Sequence, residues 1–190
     1  MFRKVKLPDG VSGCLYLHNL HSMSGRYEAF SRAQYWIERY GITRVVCLAP
    51  LDEFRYRSPD HARAIATNGL LWKTACSPIT DRGAPEDRVA FGKLAQDIAG
   101  RLGDGENVLI HCRAGIARTG SLAICVLISL GLDADQAYML VANTDARPEA
   151  QSQRDVVAWF IDVSRNEYAI NPPLELAASS WASAGLSALG

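Results

Sequence analysis

Apolar residues along this chain recur at strand and helix spacings in turn, which predicts strands separated by helices. Residues 11–20 alternate loosely between apolar and polar side chains and predict a first strand. Residues 28–40 carry apolar side chains at helical spacing, and Gly41 is a natural end for that helix. Residues 44–48 then predict a short buried strand, whereas the charged residues 51–59 predict an exposed loop.

The same order continues beyond the exposed loop. Residues 60–68 predict a weak helix, residues 70–76 a further strand, and residues 77–85 a loop rich in Pro, Gly and Asp. A longer helix is predicted over residues 85–102, because Pro85 suits a first helical turn and two acidic residues follow it near the positive helix end.

The most apolar part of the chain surrounds a short segment of small residues. Residues 108–110 form an apolar run before the segment 111–120, and the apolar residues 121–130 follow that segment. This pattern predicts a buried strand, a tight loop and a buried helix. Two further helices are predicted, over residues 133–143 with a capping box at the start and over residues 149–163.

Alternating strands and helices predict an α/β fold in which helices flank a central, mostly parallel, twisted sheet. Residues 1–170 are expected to form one domain, with its core at about residues 11–163. Residues 171–190 are rich in Ala and Ser and predict a poorly ordered tail, with docking of Trp181 as the alternative. Ligands of such sheets bind beyond the carboxyl ends of the strands, where the segment 111–120 lies.

The composition of the chain limits the classes of binding partner and the cellular compartment that we expect. The chain has 190 residues, and its 20 basic and 20 acidic side chains cancel, so no overall field attracts nucleic acid or a membrane. The basic N-terminus lacks an apolar segment after it, and the five cysteines include no C-x-x-C pair. We therefore expect a cytoplasmic protein with reduced thiols, no metal and no cofactor, and neither a nucleic-acid nor a membrane partner.

The segment 111–120 combines a nucleophile with the means to bind an anion. Cys112 stands at its start and Arg118 near its end, with small residues between them. The N-terminus of a helix offers free backbone N–H groups and a positive dipole end, which favour a thiolate and a phosphate. The arginine fork can hold two phosphoryl oxygens. We predict that this loop holds a phosphate and that Cys112 attacks it. The predicted phosphate-binding residues are Arg113, Ala114, Gly115, Ile116, Ala117 and Arg118.

The sequence from His111 to Gly120 resembles the H-C-x-x-G-x-x-R-[ST]-G signature of cysteine-dependent protein phosphatases. A loop with a candidate acid precedes the signature, as in the dual-specificity branch, and residues 45–57 and 78–87 are similar to the kinase-associated phosphatase group. The resemblance implies hydrolysis of phosphotyrosine in phosphorylated proteins, with phosphoserine and phosphothreonine permitted by the short chain. It also implies a phosphocysteine intermediate and no cofactor.

The family pattern assigns a role to each matching residue. It makes Cys112 the nucleophile and Arg118 the phosphate clamp. Asp81 would be the general acid and then the base that activates water. Thr119 would donate a hydrogen bond to the thiolate, and His111 would orient the loop.

The sequence leaves the roles of several other positions open. Gln151 or Gln153 resembles the glutamine that positions the hydrolytic water. Ala117 replaces a glycine common in the family and requires a negative φ. Cys47 matches a second thiol that traps the nucleophile in some relatives, or is an inert strand cysteine. Asp87 is a rival acid, although it also suits a helix N-terminus.

Residues outside the signature give weaker signals. Arg55, Tyr56 and Arg57 either rim the pocket or form a solvated loop, and His18, His21 and His61 have no spacing that marks a site.

Two alternative functions remain at the level of sequence. One is a phosphoinositide or RNA 5′-phosphatase with the same chemistry, disfavoured because Arg113 is the loop's sole cation besides Arg118. The other is a phosphoprotein-binding module without turnover, disfavoured because the full set of reactive residues is present.

Overall fold

The computed structural model describes residues 2–19, 27–50, 52–53, 59, 63 and 73–165. The strands and helices follow in chain order as β1 (Arg3–Val5), β2 (Cys14–Asn19), α1 (Tyr27–Arg39), β3 (Ile42–Cys47), β4 (Lys73–Cys76), α2 (Arg88–Gly103), β5 (Asn107–Cys112), α3 (Ala117–Ser129), α4 (Ala134–Ala142) and α5 (Gln151–Arg165).

One five-stranded sheet, in the order β1-β2-β5-β3-β4, organises the fold. The four strands β2, β5, β3 and β4 are parallel, and β1 pairs antiparallel with β2 at the edge. The α/β class and the flanking helices are therefore as predicted, but the sheet is mixed rather than mostly parallel. The edge strand β1 escaped prediction because three residues, two of them cationic, carry no readable strand period.

Helices cover both faces of the sheet. On one face α3 lies against α2, α4 and α5, and its residues 122–127 are fully buried. The strands alternate their side chains between the faces, so Val46 joins the core beneath these helices while Val45 joins the smaller core shared with α1. The nearly continuous apolar character of the central strands thus follows from burial on both faces.

In the described part of the chain, the predicted strands and helices are present, but several begin or end at other residues than predicted. Helix α2 begins at Arg88 rather than at Pro85, because the Asp87 carboxylate accepts the Ala90 N–H at 2.9 Å and so fixes the start. Helix α3 begins at Ala117, inside the segment predicted as a loop. The N-terminus of α4 is capped as predicted, by Asp133.

Several predictions lie outside the described residues. These include most of the helix over residues 60–68, the rim candidates Arg55, Tyr56 and Arg57, His21, His61 and the tail over residues 171–190. Asp52 and Glu53 are described and are helical, where an exposed loop was expected. No helix among the described residues is long and apolar enough to cross a membrane.

Candidate active site

The loop between β5 and α3 lies at the carboxyl end of the parallel strands. Cys112 ends β5 and is 2% exposed, and four residues separate it from α3. Gly115 adopts a φ of 70°, and its N–H donates to Cys112 Sγ at 3.2 Å. A Cβ at Gly115 would collide with the His18 carbonyl, so a side chain fits neither the conformation nor the space. The turn therefore directs a backbone donor at the sulfur.

The N-terminus of α3 leaves its backbone donors available to an anion. No side chain caps the helix at Ile116. Ala117 is its first residue and does not have a positive φ. Alanine is therefore tolerated at this position, where the family often has glycine. The first N–H groups of a helix have no carbonyl partners within the helix and lie at the positive end of its dipole. A phosphate placed beside Cys112 would meet these donors.

Arg118, in the first turn of α3, is held from several directions. Its side chain is 3% exposed, and its guanidinium forms a two-point ion pair with Glu53, at 3.0 and 3.2 Å. It also donates to the Ile79 carbonyl at 2.7 Å and approaches Asp81 at 3.4 Å. Burial acts to lower the pKa of Arg118, but Glu53 and the charges on Cys112 and Asp81 raise it overall. The Arg118 guanidinium thus stays charged and is held in one orientation.

Asp81 lies on a tight turn that faces this arginine. The turn is closed by the Gly83 N–H, which donates to the Thr80 carbonyl at 2.9 Å, and Arg82 within it has a φ of 59°. The Asp81 carboxylate is half exposed and contacts Arg113 at 3.3 Å as well as Arg118. The rival Asp87 is instead the N-cap of α2.

The sheet carries residues 77–85, called the acid loop here because they include the predicted acid Asp81, to this position. Beyond β4, the Ser77 N–H donates to the Cys47 carbonyl and the Ile79 N–H to the Leu48 carbonyl, at 2.9 and 3.1 Å. These bonds continue the pairing of β4 with β3 and bring the Ile79 carbonyl to the guanidinium of Arg118.

Gln153, on α5, forms a hydrogen bond to the same loop, and its implied role in positioning water stays a prediction. Its carbonyl oxygen accepts the N–H groups of Glu149 and Ala150, and its amide donates to the Gly83 carbonyl at 2.9 Å. Gln151 is exposed and bonded to Asp155. Both amides are therefore engaged within the protein, and Gln153 joins the start of α5 to the acid loop.

The remaining predicted residues are buried around Cys112. His111 is fully buried and lies between His18 and Cys47 in neighbouring strands. Thr119 is fully buried too, and its hydroxyl has no hydrogen-bond partner in the described part of the chain, so the predicted bond to the sulfur is not formed.

Cys47 and Cys112 belong to the cores on opposite faces of the sheet. The Cys47 thiol donates to the Ala49 carbonyl at 3.3 Å, and burial raises its pKa well above the usual value, with its neighbour Cys76 as a second cause. This placement favours the inert interpretation of Cys47 over a trap for the nucleophile. All five cysteines are free thiols.

Two contributors were missed at the level of sequence, Glu53 and Arg3. Glu53 lay in a stretch interpreted as solvated, and its pairing with Arg118 spans 65 positions. Arg3 donates to the Gly115 carbonyl from a strand that was not predicted. Neither residue has a local signal, because each acts only through the fold. Among the described residues, no group of three or more His, Cys, Asp or Glu side chains is arranged to hold a metal ion.

Comparison with known proteins assigns the fold to a class. Over 87% of this chain and 96% of the other, the structure matches kinase associated phosphatase with its catalytic cysteine replaced by serine, at a TM-score of 0.71 and 18% identity. Human DUSP28 matches with a TM-score of 0.60 and 16% identity, over 86% of this chain and 99% of the other. At these identities the likeness concerns the fold, which is that of the dual-specificity phosphatases.

The family follows from the sequence match. The model of the Swiss Army Knife protein, DSP-PTPase phosphatase domain, matches residues 26–170, and the chain belongs to this family. Putative tyrosine phosphatase 067L of Invertebrate iridescent virus 3 is 28% identical over 96 residues, which cover 48% of this chain and 40% of the viral protein. The match thus spans less than half the length of that relative. The resemblance to the dual-specificity branch is confirmed, and the fold is similar to that of kinase associated phosphatase.

Proposed function

We propose that this protein is a cysteine-dependent protein phosphatase that hydrolyses phosphotyrosine, and also phosphoserine and phosphothreonine, through a phosphocysteine intermediate. One observation carries the proposal. Asp81 contacts both Arg113 and Arg118 of the loop that begins at Cys112, so a nucleophile, an anion clamp and an acid belong to one site.

The first step transfers the phosphoryl group to sulfur. The Cys112 thiolate attacks phosphorus as the bond from phosphorus to the ester oxygen breaks, and protonated Asp81 gives its proton to the departing oxygen. Arg118 and the N–H groups at the start of α3 bind the other phosphoryl oxygens, where negative charge is spread in the transition state. Arg118 exchanges its contact with Asp81 for the phosphate and keeps Glu53 and the Ile79 carbonyl.

The second step returns the thiolate. Water attacks phosphorus, the Asp81 carboxylate takes a proton from that water, and the bond between sulfur and phosphorus breaks to release inorganic phosphate. We assign to the Thr119 hydroxyl a hydrogen bond to the departing thiolate, because this group is buried beside the loop without a partner among the described residues. His111, buried next to Cys112, would orient the loop.

A phosphorylated protein is the proposed substrate class. A loop that binds the several phosphates of an inositol headgroup would need more cations than this one offers. Arg113 is the sole further cation of the loop, and it pairs with Asp81. We therefore favour a single phosphate carried by a side chain, and the alternative substrates are arms of the test.

Hydrolysis of two aryl phosphates tests the mechanism. Cys112→Ser is expected to abolish turnover of both. Asp81→Ala is expected to lower kcat on phenyl phosphate about 10²–10⁴-fold, with a smaller loss on p-nitrophenyl phosphate, whose oxygen leaves without a proton. Asp87→Ala is the matched control, since this carboxylate caps α2, and it should keep the wild-type dependence on the leaving group. Equal activity of Asp81→Ala and wild type on phenyl phosphate would contradict the assignment.

The intermediate and the substrate class are tested directly. After rapid quenching, mass spectrometry of Asp81→Ala with p-nitrophenyl phosphate should find one phosphoryl group on Cys112. The kcat/KM values for a phosphotyrosine peptide, a phosphothreonine peptide, an inositol phosphate headgroup and a 5′-phosphorylated RNA then rank the classes. Binding of the peptides without any turnover by wild type would favour the binding module instead.

A further inference from the structure

The backbone carbonyl groups of the phosphate-binding loop need hydrogen-bond donors. When successive backbone N–H groups converge on an anion, the adjoining carbonyl groups point outward and away from it. Buried carbonyl groups need donors, and a loop whose carbonyls are bonded is held in the anion-binding conformation before the anion arrives. The Ile116 carbonyl accepts the N–H groups of Gly120 and Arg147, at 2.8 and 3.3 Å. The donor to the Gly115 carbonyl comes from a side chain.

That donor is Arg3, a half-buried residue of β1. Its Nη2 donates to the Gly115 carbonyl, and its Nη1 donates to the Thr144 carbonyl at 2.6 Å. One guanidinium fork therefore joins the edge strand, the loop and the segment after α4. A Cβ at Gly115 would collide with the fork as well as with the His18 carbonyl, so the glycine allows the arginine to approach.

The positive charge of Arg3 acts on the same site. Burial lowers the pKa of Arg3, whereas the negative charges of Asp145 and of the Cys112 thiolate raise it. The cation of Arg3 therefore lies close enough to Cys112 for the two side chains to interact electrostatically. A lysine would keep this charge but would not present two donors in one plane to two carbonyls.

We propose that Arg3 is a positioning residue for the phosphate-binding loop, in which its fork holds the Gly115 and Thr144 carbonyls so that the loop N–H groups stay directed at the phosphate. The inference rests on the proposed function of this loop as a phosphate site. It gives the N-terminal edge strand a part in recognition, although no residue of that strand contacts the nucleophile by a hydrogen bond within the described chain.

Two substitutions and a matched control test the inference. Arg3→Met keeps the apolar stem and removes the fork, and Arg3→Lys keeps the charge with a single donor point. Lys4→Met is the control, because Lys4 is the exposed neighbour in the same strand. The measurements are kcat, KM and the inhibition constant of inorganic phosphate with p-nitrophenyl phosphate as substrate, and amide hydrogen exchange of residues 107–120.

We expect Arg3→Met to weaken inhibition by phosphate and to lower kcat/KM, each about tenfold, as for loss of hydrogen bonds from a charged donor. For Arg3→Lys both values should lie between those of wild type and Arg3→Met, and for Lys4→Met both should stay within twofold of wild type. The loop amides should exchange faster in Arg3→Met than in Lys4→Met.

If phosphate inhibits Arg3→Met as strongly as it inhibits wild type, and the loop amides of the two proteins exchange at the same rate, the inference is overturned. If that variant does not fold, Arg3→Lys decides, and phosphate inhibition equal to wild type in Arg3→Lys would overturn the need for a fork. Absence of hydrolysis by wild type would sink the proposed function instead, and the comparison of loop exchange between Arg3→Met and Lys4→Met would still decide the role of Arg3.

Discussion

The ion pair of Arg118 with Glu53 allows the orientation of this proposed phosphate clamp to be tested apart from its charge. Both carboxylate oxygens accept from the guanidinium, at 3.0 and 3.2 Å, and the two side chains are 3% and 18% exposed. Glu53→Gln keeps the shape of the side chain, removes its charge and leaves one acceptor where there were two. The guanidinium is then held less firmly in the position that meets a phosphate.

The size of the effect follows from the other partners of Arg118. Removing one partner of a buried ion pair costs about 3–5 kcal/mol when a charge is left alone. Here the Ile79 carbonyl and Asp81 still accept from the guanidinium, and one acceptor remains at position 53. A hydrogen bond to a charged group contributes about 1.5–3 kcal/mol, and we take the lower end. We therefore expect a loss of about 1.5 kcal/mol in the free energy of unfolding and a roughly tenfold lower kcat/KM.

Urea unfolding and p-nitrophenyl phosphate kinetics measure the two effects. Glu149→Gln is the matched control, because Glu149 forms a 3.9 Å pair with Arg147 at the surface and should change stability by less than about 0.5 kcal/mol. Unchanged stability and kinetics in Glu53→Gln would refute the reasoning. A rise in kcat/KM would refute it as well, since Glu53 would then restrain Arg118 rather than position it.

Three further predictions concern the surroundings of the site. Gly120→Ala should lower the free energy of unfolding by about 1–3 kcal/mol in urea, because its Cβ would lie 2.5 Å from the Arg147 nitrogen, and a change under 0.5 kcal/mol would contradict this. Burial lowers the pKa of His18 to about 3, so the unfolded chain binds a proton below about pH 6.5 that the folded protein does not, and stability falls as the pH drops from about 6.5 to 3. In urea titrations, His18→Gln should flatten that dependence by up to about 1.4 kcal/mol per pH unit, and equal slopes would disprove the assignment. Gln153→Ala loses one hydrogen bond to the loop that carries Asp81 and two to the backbone just before α5, and it should slow turnover of phenyl phosphate more than Gln151→Ala does; equal rates would contradict this.

Local chemistry accounts for what the sequence predicted well. A buried strand, small residues and an apolar helix follow one another within 107–129, so their periods and the spacing from Cys112 to Arg118 are readable without the fold. The cap of α2 by Asp87 is equally local, because a carboxylate three positions before an N–H can reach it.

What escaped prediction depends on distant partners. Arg3 and Glu53 reach the site only through the tertiary fold, because β1 pairs with β2, which lies next to β5, and Glu53 follows β3, the other neighbour of β5. The hydrogen bond from Gln153 to the Gly83 carbonyl also escaped prediction, because it joins residues 70 positions apart and nothing in the spacing indicates it. The antiparallel strand β1 was missed for the same reason, since pairing with β2 rather than its own pattern makes it a strand.

The hydrogen bond from Gln153 to the Gly83 carbonyl has a consequence for biosynthesis. It joins residues 70 positions apart, and α5 leaves the ribosome after Cys112, Arg118 and Asp81 have already emerged. Contacts between distant residues form late because the chain must first close a long loop. A nascent chain that ends before α5 therefore contains every group proposed to touch phosphate, yet the loop that carries Asp81 lacks its bond to Gln153, and the proposed activity should reach its full level only once α5 is present.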